Sequence, residues 1–138
     1  MKQVILVVVA VSAALSSIQA NLGDGGDRID DLYGNLVGRQ LRDDGTVSAV
    51  YHKDRYLYFV VFATGRSVLE RYSRADGRDL SAKEISKFLK TNAGGATWTP
   101  YNTAKERRFK LSDGRAEATY GNVNGRPSLT VRKLPAKP

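Results

Sequence analysis

The feature that most constrains the fold of this chain is a series of segments in which apolar and polar residues alternate. The series begins at Leu36, and its first four segments are residues 36–42, 46–52, 56–63 and 67–73. A period of two is typical of strands that bury one face. The Asp-Gly, Asp-Arg and Thr-Gly pairs between the segments favour tight turns. We therefore predict a meander of four antiparallel strands.

The turn sequences also predict how the strands pair. A two-residue turn at positions 54–55 places Tyr51 opposite Tyr58, and it brings the apolar side chains of both strands to one face. The segment 56–63 is apolar on both faces. We therefore expect this segment in the middle of the sheet.

One amphipathic helix is predicted after the meander, over about residues 81–92. Ser81 and Glu84 have the spacing of a capping box. Apolar residues recur at helical spacing and are expected to pack on the sheet; they are Ile85, Phe88 and Leu89. A short helix capped by Asp27 and ended by Gly34 is expected before the meander.

The last part of the chain predicts a second three-stranded antiparallel unit. Its segments are residues 107–112, 115–120 and 128–134, with Asp-Gly and Asn-Gly turns between them. Pro127 lacks a backbone N–H, which favours an edge position for the last strand. The predicted fold class is α+β: an antiparallel meander sheet, one amphipathic helix packed on it, and then this second unit.

The first twenty residues have the layout of a secretory signal peptide. A positive start at Lys2 precedes an apolar run over residues 4–15, and Ile18 and Ala20 occupy the positions that a signal peptidase reads. The run is shorter than the roughly 18–20 residues that span a bilayer. We expect cleavage after Ala20 and a secreted or periplasmic product, with an uncleaved anchor or a buried helix as the alternative. The expected organisation is a signal peptide (1–20), a flexible leader (21–28), one domain (29–134) and a frayed tail (135–138).

The composition excludes several kinds of chemistry. The chain has no cysteine, so it forms no disulfide and carries no lipid-modified cysteine. One histidine, His52, cannot make a standard zinc site without cysteines. The acidic residues near the start lack the alternating spacing of a calcium loop, and no phosphate-binding loop or nucleophile elbow occurs. We expect no metal, no cofactor and no catalytic residue.

Positive charge is concentrated near the end of the chain. The sequence has 22 basic and 14 acidic residues, and residues 105–138 contain nine basic and three acidic ones. The predicted pairing places Arg108, Lys110 and Arg132 on one exposed sheet face, with Glu117 among them. We interpret these three cations as a candidate anion-binding site, since guanidinium groups grip phosphate, sulfate and carboxylate. The alternative is a solvated face held by cross-strand ion pairs.

Two aromatic residues form a second candidate site. Trp98 is the single tryptophan of the chain, and Tyr101 follows three residues later. Together they are a candidate ligand platform for a carbohydrate. The alternative is that Trp98 packs in the core between the helix and a strand.

Several motifs resemble a pattern found in small exported bacterial proteins that have no assigned function. The matching motifs are Tyr33-Gly34, residues 76–85 (Asp-Gly-Arg-Asp-Leu-Ser-Ala-Lys-Glu-Ile), Phe88-Leu89, residues 92–95 (Asn-Ala-Gly-Gly), Trp98, residues 112–116 (Ser-Asp-Gly-Arg-Ala) and Tyr120. The likeness covers roughly residues 33–133 and departs from the pattern at Asn35-Leu36. It implies a fold and no activity. The order of elements is also similar to that of small envelope proteins related to beta-lactamase-inhibitor domains, which act by protein contact.

These observations favour an exported, non-enzymatic binding module that contacts a protein or an anionic envelope polymer through the basic sheet face. Nucleic acid is not an expected partner because of the predicted export, and no membrane span is expected after cleavage. One alternative is a small hydrolase whose carboxylates, such as those of Glu70, Asp79 and Glu106, converge only in the fold. Another alternative is a structural component of the envelope.

Overall fold

The computed structural model describes residues 22–135, so the predicted signal peptide and the last three residues of the predicted tail lie outside the described residues. The described chain has an α+β fold with two helices and eight strands. In chain order these are α1 (Gly26–Tyr33), β1 (Leu36–Leu41), β2 (Val47–Lys53), β3 (Tyr56–Ala63), β4 (Arg66–Arg74), α2 (Ala82–Thr91), β5 (Trp98–Pro100), β6 (Arg107–Leu111), β7 (Ala116–Val123) and β8 (Arg126–Lys133). Neither helix is long and apolar enough to cross a membrane.

All eight strands belong to one antiparallel sheet with the order β1-β2-β3-β4-β8-β7-β6-β5. The prediction of a separate second unit was therefore wrong, because β4 pairs with β8 and joins the two parts of the chain. The second part also has four strands, since β5 pairs with β6. The pairing of β4 with β8 runs from Leu69 opposite Arg132 to Tyr72 opposite Leu129.

The edge position predicted from Pro127 was also wrong. Strand β8 lies between β4 and β7, close to the centre of the sheet. Pro127 opposes Asn122 of β7 and precedes the stretch from Leu129 to Arg132 that pairs with β4. Its missing N–H therefore does not interrupt the central ladder.

The registers predicted for the hairpins are confirmed. Tyr51 opposes Tyr58, and the same row of side chains continues to Tyr72 on β4. In the second part, Lys110 opposes Glu117 and Glu117 opposes Arg132. These tight turns fixed the registers because a two-residue connection leaves the flanking strands a single pairing that buries their apolar side chains.

Both helices pack on the same sheet face, which we call the helix-covered face. Two clusters of buried side chains form the core there. The α1 cluster contains Ile29, Tyr33, Ala49, Tyr51, Val60 and Phe62. The α2 cluster contains Tyr72, Leu80, Ile85, Phe88, Leu89, Phe109, Ala118, Leu129 and Val131.

Helix α2 begins as the sequence predicts. The Ser81 side chain accepts a hydrogen bond from the Glu84 backbone N–H, and the Glu84 carboxylate accepts one from the Ser81 N–H. Helix α1 differs from its prediction, because Gly25 and not Asp27 is its N-cap and no side chain caps it. The described chain thus has two helices, the short one before the meander and the longer one after it.

The segment predicted as a flexible leader is part of the folded domain over its described residues. The Gly23 N–H donates to the Ser67 carbonyl at 2.8 Å, and the Ser67 N–H donates to the Asp24 carbonyl at 2.9 Å. Residues 26–28 lie in α1. The glycines that suggested flexibility instead let this segment run along β4 and turn into the helix.

Candidate anion-binding face

The sheet face opposite the two helices, which we call the helix-free face, carries the predicted basic residues. Two rows of side chains cross it in the second part of the sheet. The first row contains Lys110, Glu117, Arg132 and Leu69. The second row contains Arg108, Thr119, Thr130 and Arg71. We call Arg71, Arg108, Lys110 and Arg132 the basic cluster.

Glu117 is the acidic residue among these cations. Its Oε1 atom accepts a hydrogen bond from Arg132 Nη2, and Arg108 Nη2 lies 4.0 Å from the same oxygen. The hydrogen bond from Arg132, with the positive charges of Arg132 and Arg108, lowers the pKa of the Glu117 carboxyl. Glu117 therefore pairs with two guanidinium groups, and the Glu106 carboxylate, 3.5 Å from Arg108 Nε, provides a second negative charge beside them.

Tyr101 lies beside two of the cations on the helix-free face. The Arg108 guanidinium carbon and the Lys110 Nζ atom each lie 5.5 Å from the centroid of the Tyr101 ring. Arg108 Nε is buried and lies 3.5 Å from Glu106 Oε1, yet it donates no hydrogen bond to any described residue. This N–H is an unsatisfied buried donor beside the Glu106 carboxylate, and its burial keeps it from a bound partner.

Arg71 belongs to the cluster although the sequence analysis missed it. Its Nε donates to Thr130 Oγ1 at 3.0 Å, and its guanidinium carbon lies 4.9 Å from the centroid of the Phe59 ring. No carboxylate of the described residues lies within 4.0 Å of this guanidinium. Partial burial lowers the pKa of Arg71, but a guanidinium remains charged at any physiological pH.

The spacing of the cluster suits an extended anion better than a single small ion. Arg71 and Arg108 stand at the two ends of one row with Thr119 and Thr130 between them. Strands lie about 4.8 Å apart, so the Cα atoms of these two arginines are roughly 14 Å apart. The threonine hydroxyls between them add hydrogen-bonding groups along the row.

The helix-free face carries apolar residues in the first part of the sheet, where the basic cluster ends. There the row that contains Arg71 continues through Phe59 to Val50. The adjacent row continues from Leu69 to Val61. The basic cluster therefore borders an apolar area, and Arg71 lies at the boundary.

The predicted platform of Trp98 and Tyr101 is not assembled. The Trp98 indole packs against the α2 cluster, and its Nε1 donates to the Leu89 carbonyl at 2.6 Å. Tyr101 lies with the basic cluster on the other face. Trp98 is thus a core residue, which was the alternative interpretation, because β5 alternates its side chains between the two faces.

The structure separates one of the three carboxylates considered for a hydrolase, that of Glu70, from the other two. Glu70 is buried in the core, where its carboxylate accepts hydrogen bonds from the hydroxyls of Tyr33, Ser67 and Tyr72 at 2.8 to 3.0 Å. Asp79 and Glu106 line one open cleft of about 440 Å³. Asp79 accepts a hydrogen bond from the Tyr120 hydroxyl there. Within residues 22–135, no three His, Cys, Asp or Glu side chains are grouped so as to hold a metal ion.

Comparisons with known proteins add little to this description. No protein-family model matches the chain, and neither does any curated protein sequence. Among solved structures, the chain is similar to a cysteine-rich secretory protein from Staphylococcus aureus subsp. aureus Mu50, with 11% identity and a TM-score of 0.48. The likeness covers 81% of this chain and 44% of that one, so the chain spans less than half the length of its neighbour. A similarity of this degree carries no argument about function.

Proposed function

We propose that this protein is an exported, non-enzymatic binding module whose helix-free face holds an anionic polymer of the cell envelope. The observation that carries the proposal is the Arg71 guanidinium, which is half-buried on the sheet and has no carboxylate within 4.0 Å among the described residues. Partial burial of an uncompensated charge costs free energy, and a bound anion would recover that cost. The layout of residues 1–20 supports export.

The other members of the cluster extend the site. Arg108 and Arg132 share Glu117, and Lys110 lies beside Tyr101. A polymer with regularly spaced phosphate, sulfate or carboxylate groups would contact both rows at once. Several individually weak ion pairs would then add to a high overall affinity. An acidic protein segment would present similar groups, and the experiment below distinguishes the two.

The test is binding of the purified protein to polyphosphate, a sulfated glycan and poly-glutamate across a series of salt concentrations. We expect binding to at least one of the first two that weakens as salt rises. The triple variant R108A/K110A/R132A should lose at least about tenfold in affinity, and Arg71→Ala should lose a similar amount. Arg71→Lys, which keeps the charge, should bind less tightly than the native protein, because an ammonium group cannot form the paired hydrogen bonds of a planar guanidinium.

A matched control removes the same number of charges from another surface. Lys83, Lys87 and Lys90 are exposed on α2, and K83A/K87A/K90A should bind nearly as well as the native protein. Equal losses in the two triple variants would mean that net charge alone causes binding. Absence of binding at low salt would contradict the proposal, and preference for poly-glutamate would favour an acidic protein partner.

A hydrolase is a second candidate, favoured only by the presence of Asp79 and Glu106 in one cleft. Paired carboxylates of this kind cleave glycosidic bonds when one acts as an acid. Asp79→Asn and Glu106→Gln should each abolish any release of reducing ends from envelope glycans. Hydrolysis that persists in both variants, or no hydrolysis by the native protein, would remove this candidate.

A further inference from the structure

Strand β1 exposes most of the large apolar surface of the described chain. Of the four large hydrophobic residues exposed between residues 22 and 135, three lie on β1, which is an edge of the sheet. Their exposed fractions are 46% for Leu36, 65% for Val37 and 74% for Leu41. An edge strand that combines apolar side chains with unpaired backbone groups is a surface for pairing with another strand.

The backbone of β1 is also available for pairing. The Arg42 N–H donates to the Thr46 carbonyl at 2.8 Å, so the backbone of Arg42 faces β2. Successive residues of an antiparallel ladder alternate in direction, and Arg39 and Leu41 therefore direct their N–H and C=O groups away from the sheet. Val37 is the additional residue of a bulge between Leu36 and Gly38.

The opposite edge of the sheet is blocked. Strand β5 has three residues. The Tyr101 N–H donates to the Arg108 carbonyl and the Thr97 carbonyl accepts from Ser112, so Trp98 and Pro100 direct their backbones outward. Pro100 has no N–H to offer there. Pairing of β1 with β5 of another copy is thus disfavoured, and open-ended growth of the sheet is prevented.

We propose that β1 pairs antiparallel with β1 of a second copy of this chain, about a two-fold axis that passes at Arg39. Outward-facing residues must oppose outward-facing residues, and this register meets that condition at Arg39, which opposes the partner's Arg39. It places Val37 opposite the partner's Leu41 and Leu41 opposite the partner's Val37. The result is a closed dimer with one continuous sheet, because both copies use the same strand.

The like charges at the axis are compensated within each copy. Arg39 Nη2 lies 3.1 Å from Asp30 Oδ1 of α1, so each Arg39 carries its own counter-ion. The exposed apolar side chains then lie on both sides of the axis, where Val37 and Leu41 of one copy meet the partner's Leu41 and the partner's Val37. The pairing edge is separate from the basic cluster, which lies on β4, β6 and β8.

A single introduced cysteine tests the register. The chain has no cysteine, so Arg39→Cys provides one thiol per copy. Directly opposed residues of a hydrogen-bonded antiparallel pair have Cα atoms about 5.5 Å apart, which suits a disulfide. We expect mild oxidation to link most of the R39C protein into dimers, while Thr99→Cys on β5 stays monomeric under the same conditions. Equal cross-linking of T99C, or none of R39C, would overturn the register.

Sedimentation equilibrium of the purified protein tests the dimer itself. V37K/L41K should raise the dissociation constant at least about 100-fold, while A82K/S86K adds the same charge on exposed positions of α2 and should not. Because Val37 and Leu41 are mostly exposed, the variant should keep the native circular dichroism spectrum. A native protein that stays monomeric at about 100 µM, or a dimer that persists in V37K/L41K, would overturn the proposal.

Discussion

The two halves of the molecule have the same order of helix and strands but present different surfaces. Each half is a helix followed by four antiparallel strands, and the two halves meet where β4 pairs with β8. Both helices cover the same sheet face. On the other face the first half presents Val50 and Phe59, whereas the second half presents Arg108 and Arg132. The helix-covered face of the described chain therefore holds both core clusters, while the other face differs in chemistry between the two halves.

The halves also differ in how their helices are anchored. Phe88 of α2 stacks on Tyr72 with ring centroids 4.3 Å apart and meets the edge of Tyr56. Helix α1 contributes Ile29 and Tyr33 to its cluster and begins without a side-chain cap. The following variants measure whether these differences make the halves unequal in stability.

The largest effect is expected from removing an anchor of either helix. Phe88→Ala should lower the free energy of unfolding by about 3–5 kcal/mol and Ile29→Ala by about 2–5 kcal/mol, because both side chains are buried and each truncation leaves a cavity. Urea unfolding should be followed by circular dichroism and by Trp98 fluorescence, which reports on the second half. Both probes should shift together in both variants.

The exposed Ser86 supplies the control, and Ser86→Ala should change stability by less than about 0.5 kcal/mol. A shift of the circular dichroism transition in Ile29→Ala that leaves the Trp98 transition unchanged would show that the halves unfold separately. The shared ladder between β4 and β8 would then not make the sheet one cooperative unit.

An intermediate effect is expected from the buried carboxyl at the junction of the halves. Burial raises the pKa of Glu70 above its ordinary value of 4.5, although the three hydroxyl donors oppose that rise. The folded state therefore holds the proton more tightly than the unfolded chain. Its contribution is most favourable below pH 4.5 and decreases as the pH rises through the raised value, by about 1.4 kcal/mol for each pH unit between the two pKa values.

Glu70→Gln isolates this contribution, since the amide does not titrate. The free energy of unfolding of the native protein, relative to that of the variant, should fall as the pH rises from about 4 to 8. Asp43→Asn, which removes a charge from an exposed turn, is the control. A difference between native protein and Glu70→Gln that is constant with pH would contradict the assigned shift.

The smallest effects concern the two N-caps. Ser81→Ala should cost about 0.5–2 kcal/mol, because it removes the acceptor for the Glu84 N–H. Gly25→Ser should stabilise α1 by a few tenths of a kcal/mol. Gly25 has φ −75° and ψ 161°, which serine adopts readily, and an added Cβ would meet only the Gly65 carbonyl at 3.9 Å. Thermal unfolding measures both changes, and a destabilised Gly25→Ser protein would show that α1 is limited by its packing.

Local parts of this fold could be predicted from sequence, and long-range pairing could not. The turn at 54–55 and the capping box at Ser81 act between near neighbours, so their residue types determine the geometry. The pairing of β4 with β8 joins segments about sixty residues apart and has no local signal. The edge position predicted for β8 was inferred from Pro127. A missing N–H excludes a neighbouring strand only where that strand would bond to the proline, and β4 pairs with β8 beyond Pro127.

The absence of a local signal for long-range pairing also explains why only three of the four residues of the basic cluster were predicted. Arg108, Lys110 and Arg132 belong to hairpins whose registers follow from short turns, and the structure places them on one face as expected. Arg71 joins them only because Thr130 lies beside it across the junction of the halves. If the pairing of β4 with β8 had been known, the alternation along β4 would have placed Arg71 on the same face as Leu69 and thus beside the other cations.

The central ladder also sets the order in which the chain can mature. Strand β4 ends at Arg74, whereas its partner β8 begins only at Arg126. The first half can therefore pair its own strands before β8 is in place, and one hydrogen-bonding edge of β4 then stays open until the later strand arrives. Non-local closure of this kind slows folding and leaves that edge open to pairing with other nascent chains. The step that unites the halves is thus also the step that removes an open strand edge from the middle of the sheet.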